Sequence, residues 1–178
     1  LVLAGCASTQ KQPYDYLAFK ESRPRSILVL PPVNNTPELR ASYSMLAQVT
    51  HPLAESGYYV VPVTLVDETL RENGISQAAD AHALPVNKLR EIFAADAVLY
   101  LTMTQYGTQF KVLDSVTTVA ADGVLKDLRT DRVIWTGSAR ASSAEQQNQQ
   151  QGGLAVALIS ALVKQVVGYS KSPTTTAK

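Results

Sequence analysis

Ala97-Val98-Leu99-Tyr100-Leu101-Thr102-Met103-Thr104-Gln105-Tyr106 opens the stretch that decides the fold, and Ser115-Val116-Thr117-Thr118-Val119-Ala120-Ala121-Asp122-Gly123-Val124-Leu125 continues it. Val, Thr, Leu and Tyr dominate, so Ala97 to Val112 and Ser115 to Leu128 read as two long strands. A turn is expected near Leu113-Asp114-Ser115. Asp122-Gly123 suits either a second hairpin turn or a bulge in one long strand. Thr130-Asp131-Arg132 then turns the chain into a further strand, Val133-Ile134-Trp135-Thr136. Connections this short make consecutive strands antiparallel, because parallel pairs need long crossovers.

Working back towards the amino terminus, strands alternate with helices. Ile27-Leu28-Val29-Leu30 is a continuous apolar run closed by Pro31-Pro32, as for a strand buried on both faces. Thr36-Pro37-Glu38 has the hydroxyl, proline and acid of a helix start. Leu39, Tyr43, Leu46 and Leu53 follow at helical spacing, with Pro52 expected to kink or break the helix. After Gly57, Tyr58-Tyr59-Val60-Val61 reads as a strand whose Pro62 places it at an edge. Thr64 to Asn73 reads as a helix stopped by Gly74. Asp80 and His82 fall in an Ala-rich loop, and Val86, Leu89 and Phe93 line a helix after Pro85. The expectation is a single α/β domain: a mixed sheet, βαβ-like in front and antiparallel behind, flanked by helices and closed by a helix from Leu154 to Val167.

The 178 residues suffice for one ordinary domain, and 46% apolar against 17% charged residues support a packed core. A formal charge of +1 argues against a nucleic-acid binder, which gathers a basic surplus. One cysteine excludes an intrachain disulfide framework, and with two histidines it leaves no set for a thiolate- or imidazole-rich metal site. No cofactor is expected.

Leu1-Val2-Leu3-Ala4-Gly5-Cys6 is an apolar run ending in small residues ahead of that cysteine, as the tail of a secretory signal reads. Leu3-Ala4-Gly5-Cys6 resembles the lipobox of bacterial lipoproteins, which implies that Cys6 is the lipid-attachment site and the mature amino terminus. Ala7 stands where an aspartate would favour inner-membrane retention, so the resemblance implies the outer membrane. Residues 1–5 are then residual signal peptide, and 6–26 a lipidated tether. The domain is expected over 27–169, and 170–178 read as a disordered tail. The twenty residues from 7 to 26 reach at most about 66 Å extended and roughly 25 Å as a coil. Tyr14, Tyr16 and Phe19 are candidates to dock on the domain.

Ser26 to Pro32, Gly57 to Pro62, and Ala95-Asp96-Ala97-Val98-Leu99-Tyr100 carry a wider resemblance, to which Asp127-Leu128-Arg129-Thr130 and Val133-Ile134-Trp135 add the final strand pair. In order and spacing they resemble a family of periplasmic and outer-membrane lipoproteins known from a genome-derived vaccine antigen. That family is similar to the amino-terminal domain of TolB, and more distantly to curli-secretion lipoproteins and outer-membrane activators of peptidoglycan synthases. The likeness spans nearly the whole chain. It departs at Asp131, where such turns usually carry glycine. It implies a non-enzymatic protein in an envelope transport or secretion complex, with envelope proteins as partners, a curli-secretion-like lipoprotein among them. A regulator of a peptidoglycan synthase is the alternative.

No catalytic constellation emerges from the residues. Ser8-Thr9-Gln10-Lys11 has S-x-x-K spacing but lies in the tether without the companion motifs. No G-x-S-x-G elbow occurs. Gly152-Gly153 lacks the lysine and hydroxyl of a P-loop. Asp80 with His82 is too small a ligand set. His51 reads as a helix-end residue and Trp135 as core. Asp114, Asp122, Asp127 and Asp131 fit turns, which attract aspartate for backbone bonding. Along Leu154–Val167 the apolar arc covers about 220°, wider than one sheet requires. Either neighbouring helices and the tether cover the surplus, or it meets a partner, a homodimer being the simplest form.

Overall fold

The computed structural model describes residues 15–111 and 114–142. Its sheet is built on β4 (Ala97–Lys111) and β5 (Asp114–Asp127), which pair antiparallel along their whole length, with β6 (Val133–Ser142) antiparallel on the far side of β5. On the near side, β1 (Ser26–Val29) pairs parallel with β4, and β3 (Tyr59–Val60) pairs parallel with β1. The order is β3-β1-β4-β5-β6, and β2 (Val33–Asn34) adds to β4 just beyond β1. The mixed α/β sheet flanked by helices is as expected, with β3 at an edge.

Helices cover both faces. α2 (Ala41–Glu55) lies on one face, and α3 (Val63–Glu72), α4 (Ala78–His82) and α5 (Val86–Phe93) belong to the other. Alternation along β1 explains its unbroken apolar run: Ile27 and Val29 join the α2-side core, Leu28 and Leu30 the opposite one. Along β4, Ala97, Leu99, Leu101 and Met103 face α2's side. A bulge between Met103 and Gln105 then shifts the parity, which keeps Tyr106 on that same face.

Several expectations are corrected. Asp122-Gly123 is neither a turn nor a bulge; both residues sit in regular β5 pairing, Gly123 opposite Leu101 on one side and Gly137 on the other. β5 begins at Asp114, one residue early, and β6 runs to Ser142 rather than Thr136. β1 ends ahead of Pro31-Pro32 as read, but a short strand, Val33–Asn34, follows them that the sequence reading did not include. α2 starts at Ala41, not at Thr36-Pro37-Glu38. The reason is an Asx turn: Asn34 Oδ1 accepts from the Thr36 N–H and hydroxyl, and Asn34 Nδ2 donates to the Glu38 carbonyl. The later start rotates the buried stripe to Ala41, Met45, Val49 and Leu53, leaving Leu39 and Tyr43 outside. The helix runs through Pro52 without ending there and closes a turn later, where the Ser56 N–H and hydroxyl bond the Pro52 carbonyl. The Ala-rich stretch around Asp80 and His82 is a helix, α4.

The stretch read as a tether also holds structure. α1 (Leu17–Ser22) is a helix whose Ala18 and Phe19, with Tyr16 just before it, pack partly against the α2-side core, so the packed chain starts ahead of residue 27. Cys6, Ser8–Lys11, Gly152-Gly153, the Leu154–Val167 segment and the tail lie outside the described residues.

Candidate functional site

Among the described residues, two places that gather polar groups around a cavity lie at opposite ends of the parallel strands. The first is the turn after β5. The Asp127 carboxylate is buried and accepts from the Arg129 N–H at 2.7 Å, Arg129 Nε at 3.2 Å, Arg129 Nη2 at 2.6 Å, the Thr130 N–H at 3.1 Å and the Ser22 hydroxyl at 2.5 Å. Arg129 also donates to the Ser22 carbonyl, and Arg132 pairs with Glu21 at 2.6 Å and reaches the Ala18 carbonyl. α1 has no fully buried residue, so these bonds from the turn supplement its partial packing. Asp131 occupies the left-handed region at φ 56°, the conformation glycine would supply, and its carboxylate pairs with Lys126 at 3.0 Å.

Burial alone would raise the Asp127 carboxyl. The side-chain bonds from Arg129 and Ser22, the Arg129 backbone N–H and the Arg129 charge outweigh it and hold the group well below the usual carboxylate range. Asp96 is set likewise: burial raises it, but the Arg25 and Ser26 N–H groups, the Arg129 charge and the Ser26 side chain together lower it more, and the two N–H bonds pin the start of β1 to β4. Such carboxylates hold structure rather than move protons. A depressed folded value means that the stabilisation is complete above the unfolded value and fades as pH falls through and below about 4. Asp127→Asn should therefore lower stability at neutral pH by about 2 kcal/mol and flatten the acid limb of the stability–pH curve. Denaturant titration between pH 2 and pH 7, roughly the range over which linkage acts, checks both. An acid limb as steep as the wild type's would refute the assignment.

The other aspartates do not converge on Asp127. Asp122 is exposed in mid-strand, Asp131 is held by Lys126, and the Asp114 side chain lies outside the described part. His51 is exposed on α2 and 3.4 Å from Glu55, one turn on. Burial lowers the His82 imidazole more than its bond to Pro31 raises it; Nε2 lies 2.9 Å from the Pro31 carbonyl and the ring meets Tyr100 edge-on. It fastens α4 to the end of β1. Trp135 is core, as expected. Among the described residues no three His, Cys, Asp or Glu side chains could hold a metal ion, and no helix is long and apolar enough to cross a membrane.

The second place is a crevice of about 510 Å³ between Pro31–Thr36 and the start of α2 on one side, and α3 and Ile75–Ala81 on the other. Leu39 and Tyr43 stand at its lip, 85% and 74% exposed. Asp67 is the sole ionisable side chain apart from Tyr43 in its wall, and it pairs with Arg71. Sequence reading put Leu39 and Tyr43 at helical spacing with Leu46 and Leu53, on one apolar stripe. Asn34-Asn35-Thr36-Pro37, a cluster of turn formers, was the signal that the helix would start later.

The model of the family described as "Putative lipoprotein GNA1162-like" matches residues 14–176. The chain belongs to the GNA1162-like lipoprotein family. A curated lipoprotein of this family from Neisseria meningitidis serogroup B is 46% identical over 180 residues, covering 98% of this chain and 83% of the relative. The crystal structure of lipoprotein GNA1162 from Neisseria meningitidis superposes with a TM-score of 0.69 at 46% identity, over 82% of this chain and 99% of that one. A PelC dodecamer from Paraburkholderia phytofirmans matches at a TM-score of 0.55 and 15% identity, over 80% of this chain and 89% of that one. At that identity the last likeness concerns the fold alone. Membership of the GNA1162-like family makes this chain a lipoprotein by kinship.

Proposed function

We propose that this GNA1162-like protein is anchored in the outer membrane through lipidated Cys6. Its α/β domain is a non-enzymatic docking component of an envelope transport or secretion assembly. One observation carries the docking role: Leu39 and Tyr43, two large apolar side chains, stand exposed together at the lip of a crevice instead of in the core. Water-facing apolar surface of this kind marks interaction sites. Family membership supports the anchor, and Ala7 in place of aspartate supports the outer membrane.

A photo-crosslinking residue at position 43, in cells making the full precursor, tests the reading. Specific protein adducts should form in intact envelopes, and Leu39→Asp should remove them while circular dichroism stays unchanged. Purified protein that hydrolyses peptidoglycan or esters, with the activity lost on one aspartate substitution, would overturn the non-enzymatic role.

A further inference from the structure

The crevice lies where the chain parts to opposite faces of the sheet. After β1 it passes to the α2 face, and after the neighbouring β3 it passes to the α3–α5 face. Diverging exits from adjacent parallel strands open a gap outside their carboxyl ends, where open α/β sheets bind ligands. One wall of this gap is β2. It pairs only with β4, through Val33↔Thr102 and Asn34↔Met103, and the Asn35 N–H donates to the Met103 carbonyl at 3.0 Å. In a parallel ladder the N–H and C=O of one residue face the same side, and successive residues alternate. With Asn35 turned towards β4, the Asn34 main chain faces away from it, on the side of the crevice. Neither its N–H nor its C=O has a protein partner among the described residues. The Asn34 side chain is already committed to Thr36 and Glu38.

We propose that this edge receives an extended, uncharged peptide segment of a partner protein, added as a short strand against Asn34. An apolar side chain of the segment seats between the Leu39–Tyr43 lip and Ile75. The proposal rests on the docking role above and names its site and ligand. A peptide supplies what the edge asks for, one acceptor and one donor at strand spacing. Charge selects the side chains: the wall's lone carboxylate is already paired, so a charged ligand would lose hydration without gaining a counter-charge. The opposite end of the sheet, with Glu21, Asp127, Arg129 and Arg132, is the contrasting charged surface. Asn35, Ser76 and Gln77, exposed on the walls and without side-chain partners among the described residues, can bond the flanking peptide groups.

The test uses the full chain and a phage-displayed library of random linear peptides, followed by synthetic copies of the winners. Enriched sequences should be uncharged and alternate apolar with polar residues. Binding should slow exchange of the Asn34 amide in NMR, and Tyr43→Glu should weaken it by about tenfold or more. N-methylation of alternate peptide amides should weaken it as much when the pairing set is blocked, and hardly at all for the other set. Charge-rich winners, no enrichment, indifference to Tyr43→Glu or to N-methylation, or an unperturbed Asn34 amide would each overturn the proposal. The two levels separate in cells: envelope crosslinks from other surface positions but none from 43 would sink the crevice alone. Absence of protein crosslinks from every surface position would sink the docking role itself.

Discussion

Replacing Cys6 by serine in the full precursor should abolish labelled palmitate incorporation and shift the protein from the outer-membrane fraction to the periplasm. Cys6 is the chain's only thiol, so no second attachment point exists for a diacylglycerol. Each buried CH₂ contributes about 0.8 kcal/mol, and a single acyl chain holds only marginally whereas two or three hold firmly. The effect should thus be nearly all-or-none rather than graded. Nothing in the described helices can substitute for the anchor, since none is long and apolar enough to cross a membrane. Membrane association that persists unchanged in Cys6→Ser would refute the lipid anchor. Replacing Ala7 by aspartate is the companion measurement: retention in the inner membrane is the expected outcome if position 7 sets the sorting.

The largest loss of stability is expected from Trp135→Ala. The indole is 2% exposed and packs across β5, its Cζ3 atom 3.0 Å from where a Cβ on Gly123 would stand. Truncating a buried aromatic costs about 3–5 kcal/mol, which for a domain of this size lowers Tm by roughly 10 °C. Trp135→Phe should cost much less. The Trp135 Nε1–H is buried with no hydrogen-bond partner among the described residues, so its removal sacrifices no bond. Gly123→Ala should destabilise by about 1–3 kcal/mol, because its Cβ would press on the rigid ring. That cost should shrink in a Trp135→Phe background, as residues in contact couple. Thermal and denaturant unfolding of the four proteins closes the cycle. A loss below about 1 kcal/mol for Trp135→Ala would show that the indole is not a core element.

The long strands β4 and β5, the buried β1 and the helices α3 and α5 were legible because their signals are local. Apolar runs, period-two and period-3.6 spacing, the stop at Gly74 and the start after Pro85 act within a few residues. The order of the strand motifs was enough to point to the family. Local signals also misled where distant partners intervene. Asp122-Gly123 has turn chemistry, yet Gly123 stays in the strand, where the Trp135 ring of β6 needs a neighbour without a side chain. α1 carries little apolar surface, and the bonds that reinforce its packing come from Asp127, Arg129 and Arg132, over a hundred residues away in sequence. α2 lost its first turn to the Asn34 side chain, which left Leu39 and Tyr43 off the helix's buried stripe and on the surface.

Sequence by itself therefore determined most of the elements and the α/β class, both set by neighbours in the chain. Only the tertiary structure decided the strand order β3-β1-β4, and with it the crevice and the open edge at Asn34. Those depend on which strands lie side by side, and that is settled by the pooled burial of two cores across the whole sheet, not by any one segment's pattern.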